Sequence, residues 1–207
     1  AECQALMQEM GFSHIRELQS HFVRQLSDHL TSKEGDERRT VIMWNESLSA
    51  AGTNVEMIEG TGGMMMCWEP GNTYPTALKA AKMGMKSIIT PQVPYYINRR
   101  QSPLPTEPKS QGRGTETLEA VYNYVPMRDV AEELQSKYMG VQANFWSEWV
   151  IEESVLQYLM LPRLAAVAEA GWTPQQSRNF DDFLRRLQTE SKYYDKKGLN
   201  YGKHYMK

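Results

Sequence analysis

Two cysteines in 207 residues, Cys3 and Cys67, are too few for a disulfide framework. Neither sits in a CxxC or beside a histidine cluster, so both are read as free thiols and no structural zinc site is expected. The four histidines, His14, His21, His29 and His204, are scattered. His21 and His29 share a helical face, but their spacing is too wide for a two-ligand grip from adjacent turns. No sign of charge dominates. The net charge is −2 and the pI is near 6.1, so no global basic field exists to draw in nucleic acid or an anionic membrane. No run approaches the ~20 apolar residues of a membrane span. The opening "AECQALMQEMGF" lacks the basic-then-apolar layout of a signal peptide. Short-period repeats, low-complexity blocks and a clear domain boundary are also missing.

What is present suits one domain or a piece of a larger one, with 41% apolar residues to build a core. Residues 15–33 read as a helix whose buried face is Ile15, Leu18, Phe22, Leu26 and Leu30. "KEGDERR" is a charged turn. "TVIMW" (40–44), "GMMMCW" (63–68) and "KSIITP" (86–91) read as strands. Between the last two lies a short helix over 73–84, with Thr73 as N-cap and Gly84 as its stop. A long stretch rich in Pro, Gly, Ser and Gln covers 91–115, a length associated with function or disorder. A small helix at "TLEAVYNYVP", a helix near 129–137 and a fourth strand, "GVQANFW" (140–146), follow. Residues 152–172 form an apolar helix kinked at Pro162, and an amphipathic helix then buries Phe180, Phe183, Leu184 and Leu187. Helices alternating with strands imply βα units and a parallel sheet, hence an α/β fold.

The strands end alike: "WNE" (Trp44, Asn45, Glu46), "CWE" (Cys67, Trp68, Glu69), "YYIN" (Tyr95 to Asn98) and "FWSE" (Phe145 to Glu148). In a parallel sheet those ends share one side, the side that carries the site. Core packing accounts for any single Trp. It does not account for a carboxylate or amide beside each one. A sugar does: one ring face is rich in C–H, and its rim carries hydroxyls for Glu or Asn. A phosphate would call for a Gly-rich loop opening a helix, whereas the glycines of "EGTGGMM" precede a strand. A nucleobase platform would want cations around the aromatics, and only Arg99 and Arg100 are close.

"GVQANFWSEWV" followed by "YLMLPRLAAVAEAGWTP" resembles the last strand and helix of the glycoside hydrolase family 20 barrel, the β-N-acetylhexosaminidases. "ELQSHFVRQL", "VIMWNE" and "TPQVPYYINRRQS" resemble, in order, that family's helix after the fourth strand, its G-W-D-E strand and its loop after the seventh strand. The resemblance implies the second half, strands 5–8, of a (β/α)8 TIM barrel over 1–174, with a C-terminal helix and tail over 175–207. It implies that Trp44, Trp68 and Trp146 wall the −1 subsite and that Tyr96 donates to the acetamido carbonyl. Glu148 would bind the 4- and 6-hydroxyls. Asn98 stands near the 6-hydroxyl where many members have Asp, and Asn45 likewise replaces a common Asp. No cofactor or metal is implied. Exported members of the family suggest a periplasmic or secreted parent.

The family's catalytic pair lies in a G-G-D-E motif, and no GGDE occurs in this sequence. The Glu of that motif is the acid, and the Asp steers the substrate's own acetamido nucleophile, an exception to the two-carboxylate scheme. The chain is therefore expected to hold sugar-pocket residues but no acid–base machinery, and to be inactive alone. Its partners are N-acetylhexosamine-containing glycans, together with the missing half of the barrel or a second copy across open sheet edges. Two other readings remain at this point. One is a non-catalytic carbohydrate-binding module. The other is a small complete enzyme that pairs Glu148 with Glu46 or Glu69, unless those two are merely solvated.

Overall fold

A computed structural model describes residues 2–112, 114–128 and 130–206, without the side chain of Asp36. The helices are α1 Glu2–Glu9, α2 Ile15–Thr31, α3 Glu46–Ser49, α4 Val55–Glu59, α5 Thr73–Lys82, α6 Gln92–Tyr95, α7 Leu118–Asn123, α8 Glu153–Met160, α9 Arg163–Trp172 and α10 Phe180–Lys197. The strands β1 Ile42–Trp44, β2 Met64–Cys67, β3 Lys86–Ile89 and β4 Tyr138–Val141 form one sheet in the order β1-β2-β3-β4. They are parallel and alternate with helices, as expected. The chain divides into two compact units: 1–89 with 129–139, and 90–128 with 140–207.

In the first unit the register sets Met43 beside Met65 and Ser87, a buried row, and Trp44 beside Met66 and Ile88. The two-residue period of a strand puts these rows on opposite faces. Cys67 follows on the buried side, and burial pushes its thiol up to about 12, so it stays protonated. Both cysteines are free, as expected. α5 begins at the expected cap residue itself, Thr73. Asn72 occupies the cap position, and the Thr73 hydroxyl donates to the Glu69 carbonyl at 3.0 Å. Gly84, at φ +79°, takes the chain out of the helix where an L side chain would be strained.

The helix over 15–31 forms as predicted, but its buried face is not the apolar stripe. Phe22 is 63% and Ile15 52% exposed, whereas Ser20 and Ser27 are buried. The physical reason is hydrogen bonding. Ser27 Oγ donates to the Thr61 carbonyl at 3.0 Å, and Ser20 Oγ accepts from the Asn54 N–H at 3.1 Å. Those bonds turn the serine face, with Arg24 lying against Gly60, onto α4.

The second unit packs Tyr95, Val121, Tyr122, Ala166, Phe183 and Leu187 into its core. Pro162 breaks the long apolar segment into two helices, α8 and α9, instead of kinking one. The expected helix near 129–137 is a 3-10 turn over Glu132–Lys137, and residue 129 lies outside the described residues. The fourth strand sits two residues earlier than expected and stops at Val141. Beyond it, pairing shrinks to one bridge between Tyr96 and Asn144, because β3 ends ahead of Pro91, which has no N–H for a ladder. Asn144 holds that bridge from both sides. Its N–H donates to the Tyr95 carbonyl at 2.9 Å, and its amide donates to Thr90 Oγ1 at 2.7 Å.

Arg163, the first residue of α9, is fully buried and fixes the irregular stretch. Its guanidinium donates to the carbonyls of Ile97 at 2.6 Å, Arg99 at 2.7 Å, Glu116 at 2.9 Å, Leu159 at 3.1 Å and Arg100 at 3.4 Å. Burial lowers its pKa to about 10, against the pull of Glu107 and Glu116, so it keeps its charge at neutral pH. Arg163→Met would strand those carbonyls and is expected to cost ~3–5 kcal/mol of stability in urea titration, with Arg163→Lys in between. A loss under about 1 kcal/mol would contradict this role.

Candidate functional site: two aromatic pairs with carboxylate and amide partners

In the first unit the residues that close β1 and β2 are joined by one side chain. Asn45 is fully buried, and its Oδ1 accepts from the backbone N–H groups of Trp68 at 3.0 Å and Glu69 at 3.2 Å. Two N–H donors fix which end of the amide is oxygen. Nδ2 is then free to donate to Glu69 Oε2 at 3.0 Å and Ser49 Oγ at 3.2 Å. Glu69 also accepts from Asn72 at 2.9 Å, and Glu46 accepts from the Trp68 indole N–H at 2.9 Å. The solvated reading of Glu46 and Glu69 is therefore corrected. Both are half-buried and engaged, and one of them aims an indole. The result is a T-shaped Trp44–Trp68 pair, 6.5 Å between centroids and 87° between planes, with both rings half-buried.

In the second unit Tyr96 and Trp146 make the other pair, 6.0 Å apart and tilted by 53°. Tyr96 is buried, while Trp146 is 37% exposed. Trp146 does not close a strand, because it lies on the stretch beyond Val141 that the Asn144 bridge holds. Glu148 follows on an exposed turn closed by the Val150 N–H on the Ser147 carbonyl at 2.9 Å. Asn98 is buried, and its Nδ2 donates to Gln111 Oε1 at 3.0 Å, which leaves its Oδ1 without a protein partner. A buried carbonyl oxygen with no donor is costly. The carbonyls on either side of Asn98 are the ones that Arg163 holds.

The structure thus brings Trp44 to Trp68 and Tyr96 to Trp146, each pair beside hydrogen-bonding groups. Sequence reasoning missed Gln111, Asn144 and Arg163. A signal existed for the last one: an arginine following Pro162 in an otherwise apolar segment has to be buried with partners. Among the described residues, no cluster of three or more His, Cys, Asp or Glu could hold a metal ion.

Comparison with known proteins matches residues 1–175 to the glycosyl hydrolase family 20 catalytic domain. A β-hexosaminidase of Porphyromonas gingivalis is 32% identical over 203 residues, 96% of this chain and 24% of that protein. A β-hexosaminidase of Vibrio furnissii is 28% identical over 82% of this chain and 26% of its own length. The crystal structure of an exo β-N-acetylglucosaminidase from Vibrio harveyi, in complex with N-acetylglucosamine, superposes with a TM-score of 0.83 at 29% identity. That match covers 99% of this chain and 30% of the other. The chain spans about a quarter of the length of these curated relatives.

One substitution tests the amide logic. Asn45→Asp would set a carboxylate oxygen where Nδ2 now meets Glu69 at 3.0 Å. Two carboxylates that close retain a proton in the folded state only, so stability is lost as pH rises through the neutral range. The expected cost is ~1–3 kcal/mol at pH 8, shrinking toward pH 5, by thermal or urea unfolding. A penalty that does not vary with pH would contradict the Asn45–Glu69 bond.

Proposed function

The chain belongs to glycosyl hydrolase family 20, and from that premise we propose that it is part of an exo-acting β-N-acetylhexosaminidase. The substrates are glycans ending in β-linked N-acetylglucosamine or N-acetylgalactosamine. Cleavage proceeds with retention, the substrate's acetamido oxygen attacking C1. Residues 1–174 are the strand 5–8 half of the barrel, and 175–207 are an appended helix and tail. Trp44, Trp68 and Trp146 enclose the sugar and its acetamido methyl. Tyr96 donates to the acetamido carbonyl, Asn98 accepts from the 6-hydroxyl, and Glu148 takes the 4- and 6-hydroxyls.

The observation that carries this reading is the Tyr96–Trp146 pair with an unsatisfied Asn98 oxygen and an exposed Glu148 in the same unit. An apolar face beside unmet polar groups is what a sugar ring complements. The P. gingivalis and V. furnissii relatives, both β-hexosaminidases, support an enzyme over a stand-alone binding module. Glu46 and Glu69 are tied to Trp68, Asn45 and Asn72, which argues against either serving as the partner of Glu148 in a two-carboxylate mechanism. This sequence holds no GGDE, so the acid and the group that steers the acetamide come from elsewhere. A general acid is worth ~10²–10⁴ in rate. The chain alone is expected to release nothing above buffer from an aryl N-acetyl-β-glucosaminide. Release that disappears in Glu148→Gln would contradict the assignment of Glu148 to binding.

The open face of α2 bears on the partner. Ile15, Phe22 and Leu26 are exposed on it, and Ile42 of β1 is 49% exposed. Apolar surface of this kind is covered by further polypeptide. The remainder of the family barrel is its natural cover, with a second copy as substitute. Light scattering is expected to show concentration-dependent association that Phe22→Lys weakens. A monodisperse monomer at every concentration would contradict this.

A further inference from the structure

A cavity of about 400 Å³ opens in the second unit, between the loop at Gln101, the start of α7, α10 and the C-terminal tail. That is within the size range of small-molecule sites. Its floor is apolar, built from Leu118, Phe180, Leu184 and Tyr205. The tail that walls it is fixed: the Gly202 N–H donates to the Leu161 carbonyl at 3.0 Å, and the Tyr205 hydroxyl lies 2.5 Å from Ser191 Oγ. Three lining side chains offer hydrogen-bond acceptors. Gln101 donates through Nε2 to the carbonyls of Tyr158 and, at 2.9 Å, Leu161, which leaves Oε1. Gly202 makes room for that oxygen, since a Cβ there would come within 2.6 Å of it. His204 Nε2 lies 2.7 Å from the Tyr158 hydroxyl and 3.0 Å from Glu107, and that hydroxyl itself donates to Glu107 at 2.7 Å. Tyr158 and Glu107 therefore hold the ring hydrogen on Nε2, and Nδ1 of the neutral imidazole keeps its lone pair. Glu119, exposed at the rim, is the third acceptor. No lysine or arginine lines the cavity among the described residues.

We propose that this cavity binds a small primary amine with an apolar body, in its ammonium form. An ammonium group brings three N–H donors and no acceptor. Gln101 Oε1, His204 Nδ1 and the Glu119 carboxylate supply acceptors above one apolar floor. The charge is also of the right sign, with Glu119 at the rim and the fully buried Glu107 carboxylate behind His204. An anionic ligand would face those two carboxylates with no lysine or arginine to offset them. A neutral alcohol of the same shape would bring a single donor and no charge. The inference does not depend on the sugar reading, because the two sites share no residue.

The test is a titration of the 207-residue chain with phenethylamine, phenethyl alcohol and hydrocinnamate, read from backbone amide shifts. It is run at about pH 8, between the ordinary ranges of imidazole and of an alkyl amine. The amine is expected to move the amides of Leu118, Leu184 and Gly202. It should bind about tenfold more tightly than the alcohol, with the carboxylate weaker still. Glu119→Gln changes an exposed position and should cut the amine's lead about two- to fivefold while leaving the alcohol unchanged. His204→Phe keeps a ring, removes the Nδ1 acceptor and should cut the lead as well. Four results would each overturn the proposal: an alcohol that binds as tightly as the amine, a lead that survives both substitutions, shifts confined to residues outside the cavity, or no binding of any probe.

Discussion

Backbone that leaves a sheet must find partners for its amide and carbonyl groups, and buried backbone tolerates few exceptions. The four strands here are three or four residues long, so most of the polar backbone near the site lies beyond them. Side chains take over the work of the ladder. Asn45 satisfies the N–H groups of Trp68 and Glu69, and the Asn144 amide donates to Thr90 Oγ1 while its backbone bridges Tyr95 and Ile97. Arg163 gathers five carbonyls. Each tether lies next to a residue assigned to the sugar: Trp68, Tyr96 and Asn98. The placement of the proposed site would thus be a by-product of satisfying the loops that carry it.

That dependence explains why the aromatics can be presented at all. A tryptophan at the end of a short strand would otherwise rotate into the core, where its area is worth most. Glu46 prevents this for Trp68 by accepting its indole N–H. Tyr96 is buried and stands beside Trp146, which keeps part of its ring in solvent. Side chains fixed before the ligand arrives lose little entropy on binding, which is how a shallow sugar contact becomes useful affinity.

The fold was legible because periodicity and β-branched runs report burial directly: three of four strands and the helices α2, α5 and α10 fall where the pattern puts them, while the apolar segment over 152–172 splits at Pro162. The fourth strand was placed too late. The apolar run through Val141 to Trp146 continues past the point where its partner strand ends, and sequence alone shows one chain's preference and not its neighbour's. The orientation of α2 was unreadable for a similar reason. Two serines that bond to a distant turn outweigh a stripe of Ile15, Phe22 and Leu26, and their partners lie 34 residues away. For the site, the Trp and Glu residues were conspicuous. The amides that hold them were not, since an Asn near an aromatic in sequence looks the same whether it binds sugar, as proposed for Asn98, or backbone, as Asn45 does.

The account is tested most directly by the indole N–H resonances of the five tryptophans during titration with N-acetylglucosamine. Trp44, Trp68 and Trp146 should each shift on addition of the sugar, while Trp172, on the far end of α9, stays fixed. Shifts that leave Trp146 and Trp68 unmoved, at sugar concentrations where any other tryptophan responds, would contradict the claim that these aromatics are the chain's contribution to a sugar pocket.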